Sequence, residues 1–247
     1  MSPLAVIAIL FISAFASGIA VFFVKRDNTH LLKLILSFSG AYLFSITVLH
    51  LIPEVYHTHS AHDHTIGLFV LLGFLLQLGL EQFSHGVEHG HIHHSEKGSN
   101  IFPLGIMISL CLHAVLEGMP LAAGHQGALT FGIALHHVPA AFALGSLLLN
   151  TSLSRNKITL LLAIFAIMTP LGYLFSKAIS SGGMGHIEQY FDRIMAVVIG
   201  IFLHISTTIL FESGSADHHK FNKKKMIAVT LGIAASLLNF LFHPHVH

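Results

Sequence analysis

Charged residues are scarce in this sequence: Asp, Glu, Lys and Arg make up 9% of its 247 residues, against about 25% in a soluble domain. A chain so poor in charge cannot cover itself with a water-facing surface. That excludes an ordinary cytosolic enzyme and a disordered protein. Twelve Lys+Arg against eleven Asp+Glu leave a formal net charge of +1, which steers no nucleic acid. Cysteine is nearly absent. Cys111 stands alone, so neither a disulfide framework nor a cysteine-rich metal knuckle is available. Two motifs are also missing. There is no Gly-Lys-Ser/Thr of a phosphate-binding loop, so ATP cannot act directly, and no zincin His-Glu-x-x-His.

Apolar sequence and histidine are what the chain has in excess. Hydrophobic residues reach 53% and 22 histidines outnumber each of the acidic and basic sets; the mean hydropathy is +0.76. A hydrocarbon core of about 30 Å takes roughly 20 apolar residues as helix. Eight stretches qualify: about 3–24, 31–53, 65–83, 101–124, 127–150, 157–179, 190–211 and 226–243. The expected fold is therefore all-α, a polytopic membrane protein of eight transmembrane helices forming a single transmembrane domain over 1–247. The first stretch lacks a basic leader and is followed by Lys25 and Arg26, so it reads as a retained helix rather than a signal peptide.

Basic residues set the orientation. Alternate loops hold Lys25, Arg26 and Lys33, then Lys97, then Arg155 and Lys157, then Lys220, Lys223, Lys224 and Lys225, which is ten of the twelve. Those loops are predicted to face the cytoplasm, with both termini outside. Histidine gathers in the loops on both sides: His57, His59, His62 and His64 outside, and His85, His89, His91, His93 and His94 in the cytoplasmic loop of about 84–100. Imidazole is the commonest biological metal ligand, and a histidine-rich tract suits capture or buffering of an ion.

Ionisable residues inside a bilayer are costly and mark candidate sites. Glu117 is the only carboxylate expected deep within a span, and the deep histidines are His113, His136, His137 and His204. His113 and Glu117 are four apart, on one face of the fourth helix. Gly124-His125-Gln126-Gly127 reads as a tight turn, which predicts an antiparallel hairpin of the fourth and fifth helices. His113 and His136 each lie about eleven residues from that turn, hence both roughly 17 Å deep. Two histidines and a carboxylate meeting at one depth make a ligand set that a divalent transition metal accepts. Pro120 and Pro139 are expected to free the carbonyls of Leu116 and Leu135 beside it. His137, about 100° around the helix from His136, is open to three readings: a second-site ligand, a residue that orients a ligand, or packing. His50 and Glu54 end the second helix, Glu212 ends the seventh, and with His204 they are candidate pathway residues.

The motifs His113…Glu117-Gly118, His136-His137-Val138-Pro139 and His50-Leu51-Ile52-Pro53-Glu54 resemble those of the ZIP (Zrt/Irt-like) family of metal transporters. The likeness extends over nearly the whole chain, with eight spans and a histidine-rich cytoplasmic loop after the third. It implies passage of a divalent metal ion, most readily Zn²⁺, into the cytoplasm, without an organic cofactor, by a dimeric protein of the lipid bilayer. It carries over His113, Glu117 and His136 as ligands. Ala114 and Ala140 stand where the family usually has a polar or acidic residue, which puts a two-metal centre in question and leaves His137 as the remaining candidate for its second half. The short loops suggest a bacterial inner membrane. Two other functions compete: a metal-binding receptor or scaffold without transport, and an intramembrane metal-dependent hydrolase, which would need a general base beyond Glu117.

Overall fold

The computed structural model describes residues 1–23, 29–57, 65–84, 103–122, 126–180, 191–212 and 223–242. Among these residues all regular structure is helical: α1 (Pro3–Ala20), α2 (Thr29–Ile46), a π-helical turn (Thr47–Leu51), α3 (Ile52–His57), α4 (Thr65–Ser84), α5 (Leu104–Gly118), a 3₁₀ turn (Met119–Ala122), α6 (Gln126–Leu148), α7 (Arg155–Ser180), α8 (Phe191–Glu212) and α9 (Lys223–Phe242). Seven spans among the described residues are long and apolar enough to cross a membrane. The eighth expected stretch is α9, a 20-residue helix that opens on Lys223-Lys224-Lys225.

Local sequence explains the ends and the irregularities. Ser2 caps α1, its Oγ accepting from the Ala5 N–H at 3.3 Å, with Pro3 at the first helical position, where no N–H is needed. Pro53 cannot donate to Leu49, and the second span passes this point through the π turn, in which the Ile52 N–H reaches the Thr47 carbonyl. π turns of this kind widen a helix locally and recur at functional sites. This one carries His50, which is buried.

At Pro120 the structure corrects an expectation. The Leu116 carbonyl is not left open: the Met119 N–H takes it as the helix tightens into the 3₁₀ turn. A 3₁₀ bond skips one residue fewer than an α bond, so the carbonyl is served by the residue just before the proline. Pro139, by contrast, lies inside α6 without ending it. Beside it the Ser17 hydroxyl of α1 donates to the Val138 carbonyl at 2.5 Å.

Packing distributes these helices around α6, the most buried span. α6 lies along α1 and α2, α5 along α7, α4 along α8, and α9 along α2. The expected hairpin of α5 and α6 is thus not a pair packed along its length, and its turn at 123–125 lies outside the described residues. Two apolar clusters flank the centre. One joins Val6, Leu43, Leu129, Ile133 and Phe202; the other joins Ala14, Leu110, Leu144, Leu162 and Phe165. Leu68, Leu71, Leu72 and Leu75 on α4 point outward, as side chains facing lipid do.

Two helix pairs close through reciprocal glycines. A Cβ on Gly118 would fall on the Thr169 carbonyl and one on Gly172 on the Val115 carbonyl, so α5 and α7 touch backbone to backbone. A Cβ on Gly73 would fall on the Val197 carbonyl and one on Gly200 on the Val70 carbonyl, which gives α4 and α8 the same contact. Small residues at crossings are how helices associate where no hydrophobic force acts between them.

Candidate metal site

Glu117 ends α5 one residue before Gly118, whose lack of a side chain seats the helix against Thr169 of α7. His113 precedes it by one turn on the same face. α6 brings His136 and His137 from the other side. All four side chains are almost wholly buried.

Three histidines surround the one carboxylate. His113 Nε2 is 3.5 Å from Glu117 Oε2, and His136 Nε2 is 3.6 Å from Glu117 Oε1. The ligand atoms of His113, Glu117 and His136 all lie within 4.8 Å of one another, and this is the one such group of three among the described residues. A tetrahedral ion with bonds of about 2.0–2.1 Å separates its ligand atoms by roughly 3.3 Å. Separations of 3.5 and 3.6 Å are thus too long for good hydrogen bonds and close to what a shared ion needs. Consistently, His113 Nε2 and Glu117 Oε1 are buried without a hydrogen-bond partner.

His137 is held differently. Its Nε2 lies 2.6 Å from Glu117 Oε2, a hydrogen bond to a charged acceptor, and its Nδ1 lies 3.4 Å from the Thr169 hydroxyl. It bonds the carboxylate directly and is not one of the three residues of that group. Ala114 and Ala140, the positions that put a two-metal centre in question, are both buried, Ala114 within the second apolar cluster.

The pathway candidates are spread out. His50 is buried in the π turn and Glu54 half-buried one turn beyond it. His204 bonds through Nε2 to Glu81 Oε2 of α4 at 2.5 Å. Glu212 closes α8, but its side chain lies outside the described residues, as do the outer cluster from His57 to His64, the loop of 85–100 and the C-terminal histidines. Cys111 is half-buried against the second apolar cluster, away from the ligands.

Sequence reasoning missed three polar residues. Gln77, fully buried, accepts from His113 Nδ1 at 3.1 Å; Glu81 pairs with His204; Thr169 supports His137. Gln77 and Glu81 had a legible signal, two polar residues four apart on one face of a leucine-rich span. Thr169 had none, since a threonine in a helix bonds its own backbone as readily.

The description "ZIP Zinc transporter" belongs to a family model that matches residues 2–101 and 88–239. The zinc transporter ZIP9 of Micropogonias undulatus is 27% identical over 212 residues, covering 76% of this chain and 68% of its own. ZIP9-A of Xenopus laevis is 29% identical over 212 residues, covering 76% and 69%. Zinc transporter ZIP1 of Plasmodium falciparum is 24% identical over 288 residues, covering 85% and 79%. These relatives are eukaryotic and lend no support to the expected bacterial inner membrane; what stands is a multi-pass membrane protein. With the match running through nearly every span, the chain belongs to the ZIP zinc transporter family.

Proposed function

We propose that this chain carries Zn²⁺ across the membrane, towards the side bearing its lysines and arginines, through a one-ion site of His113, Glu117 and His136. The observation that carries the reading is the spacing of 3.5 and 3.6 Å between the imidazole nitrogens and the two oxygens of Glu117. It is the spacing of ligands around an ion rather than of partners in a hydrogen bond. The ion is the substrate, and the site offers three protein ligands with a fourth position for water or an incoming group. Buried Ala114 and Ala140 favour one ion over two. The outer histidines with Glu54 and His50 form the way in, and His204, Glu212 and the histidines of 85–94 the way out.

Binding must displace protons from the site, because neither a protonated carboxyl nor an imidazolium can hold a metal. A metal receptor without transport would bind zinc equally well, so binding alone does not separate the two. Uptake into proteoliposomes loaded with a zinc-sensitive dye does. Wild-type uptake abolished by both His113→Ala and Glu117→Gln is the expected result. Wild-type protein that binds zinc and moves none would make the chain a receptor; uptake surviving both substitutions would remove the site.

A further inference from the structure

Gln77 is the one amide buried at the heart of α4, a helix whose outward face is leucine. A polar side chain among apolar helices is costly unless bonded, and this one is spent on His113. Its Oε1 lies 3.1 Å from His113 Nδ1, and both groups are buried. A carbonyl oxygen can only accept, so the imidazole carries its proton on Nδ1. That leaves the lone pair of Nε2 directed at Glu117, 3.5 Å away.

The neighbourhood holds the amide in register. One turn before it, Gly73 lets α4 lie against the backbone of α8. On the other side the Ser109 hydroxyl of α5, one turn before His113, donates to the Leu80 carbonyl of α4 at 2.6 Å. α4 is thus clamped to both neighbours at the level where Gln77 reaches across.

We propose that Gln77 is the positioning residue of the metal site, fixing the tautomer and the ring plane of His113 so that Nε2 is presented to Zn²⁺. This rests on the reading of His113 as a ligand. Metal-bound histidines generally give their second N–H to a carbonyl or carboxylate, and loss of that partner lowers affinity roughly 10- to 100-fold. A purely structural role predicts the opposite order of variants. For packing alone, Gln77→Leu should match or improve on the wild type and a buried Gln77→Glu should be worst. For positioning, Gln77→Glu keeps an acceptor for the Nδ1 proton and Gln77→Leu has none.

The test is the zinc affinity of the purified full-length chain, measured by competition with a chromogenic chelator. The variants are Gln77→Leu, Gln77→Met, Gln77→Glu and His113→Ala. Gln77→Met matches the length of the native side chain, so a poorly folded Gln77→Leu does not leave the question open. The histidine-rich loops contribute equally to every variant. Expected is a loss of roughly 10- to 100-fold for Gln77→Leu and Gln77→Met, with Gln77→Glu close to the wild type. Wild-type affinity in Gln77→Leu and Gln77→Met, or a weaker Gln77→Glu than Gln77→Leu, overturns the proposal while the site survives. Unchanged affinity in His113→Ala overturns the site itself, and the role of Gln77 with it.

Discussion

Glu117 and Glu81 are both carboxylates that meet histidine inside the bundle, yet they are built for different ends. Glu117 is wholly buried and faces three imidazoles, two of them at 3.5 and 3.6 Å. Glu81 keeps 16% of its side chain exposed and faces His204 at 2.5 Å. The first arrangement spends one oxygen on a brace and holds the other ligands apart. The second is closed on itself, a hydrogen bond with no gap between its partners. Burial raises the cost of a carboxylate whose partners are incomplete, so the fold supports the open arrangement with Gln77 and Thr169, each bonded to a histidine that faces it.

Neutralising each carboxylate breaks the comparison most sharply. Glu117→Gln should lower zinc uptake to the level of protein-free liposomes, because the amide is a poor zinc ligand and Glu117 is the one carboxylate in the ligand group found among the described residues. Glu81→Gln should leave most uptake in place and cost about 1 kcal/mol of stability, the scale of one hydrogen bond to a charged group that is partly solvated. Uptake rates and thermal unfolding in detergent, measured side by side, check both. Equal losses of uptake would mean that the Glu81–His204 pair opens to the ion as well.

The two glycine crossings give the next effect. Alanine at Gly172 or at Gly200 would place a methyl group on a facing backbone carbonyl, and forcing helices apart in this way typically costs about 1–3 kcal/mol. Thermal stability should therefore fall by similar amounts in both variants. Uptake should not. Gly172 bears on Val115, which sits between His113 and Glu117 in α5, whereas Gly200 bears on Val70, two turns from Gln77. Gly172→Ala is expected to raise the KM for zinc more than Gly200→Ala; the reverse order would shift control of the site from α5 to α4.

How much of this the sequence discloses depends on whether a feature is local. Hydropathy is local, so the all-helical, membrane-spanning class is legible from composition and run length. The i, i+4 spacing of His113 and Glu117 is local too, and the depth argument suffices to bring His136 to them, because straight helices convert residue number into height. Packing partners are not local. The Gly124–Gly127 turn suggested an antiparallel hairpin of α5 and α6, whereas reciprocal glycines seat α5 against α7, and α6 packs chiefly along α1 and α2. Gln77 escaped for the same reason, since its meaning depends on a helix 36 residues away. Pro120 was read as opening a carbonyl, and the 3₁₀ turn that closes it is a response of the backbone that residue identity alone does not fix.

The smallest effect tests the role of His137. Its Nε2–H donates to Glu117 Oε2 at 2.6 Å, which leaves the lone pair of Nδ1 facing the Thr169 hydroxyl at 3.4 Å. Thr169→Val keeps the shape and removes that hydroxyl. If His137 is a brace, it retains its strong bond to Glu117, and the change should cost under about 1 kcal/mol and leave the KM for zinc within about twofold. His137→Ala, which removes the brace itself, should raise the KM clearly more. If His137 instead holds the ion, Thr169 becomes the partner that orients a ligand, and its loss should weaken zinc roughly 10- to 100-fold. The ratio between the two variants therefore reads out, from a single hydroxyl, whether the ion is held by three protein ligands or by four.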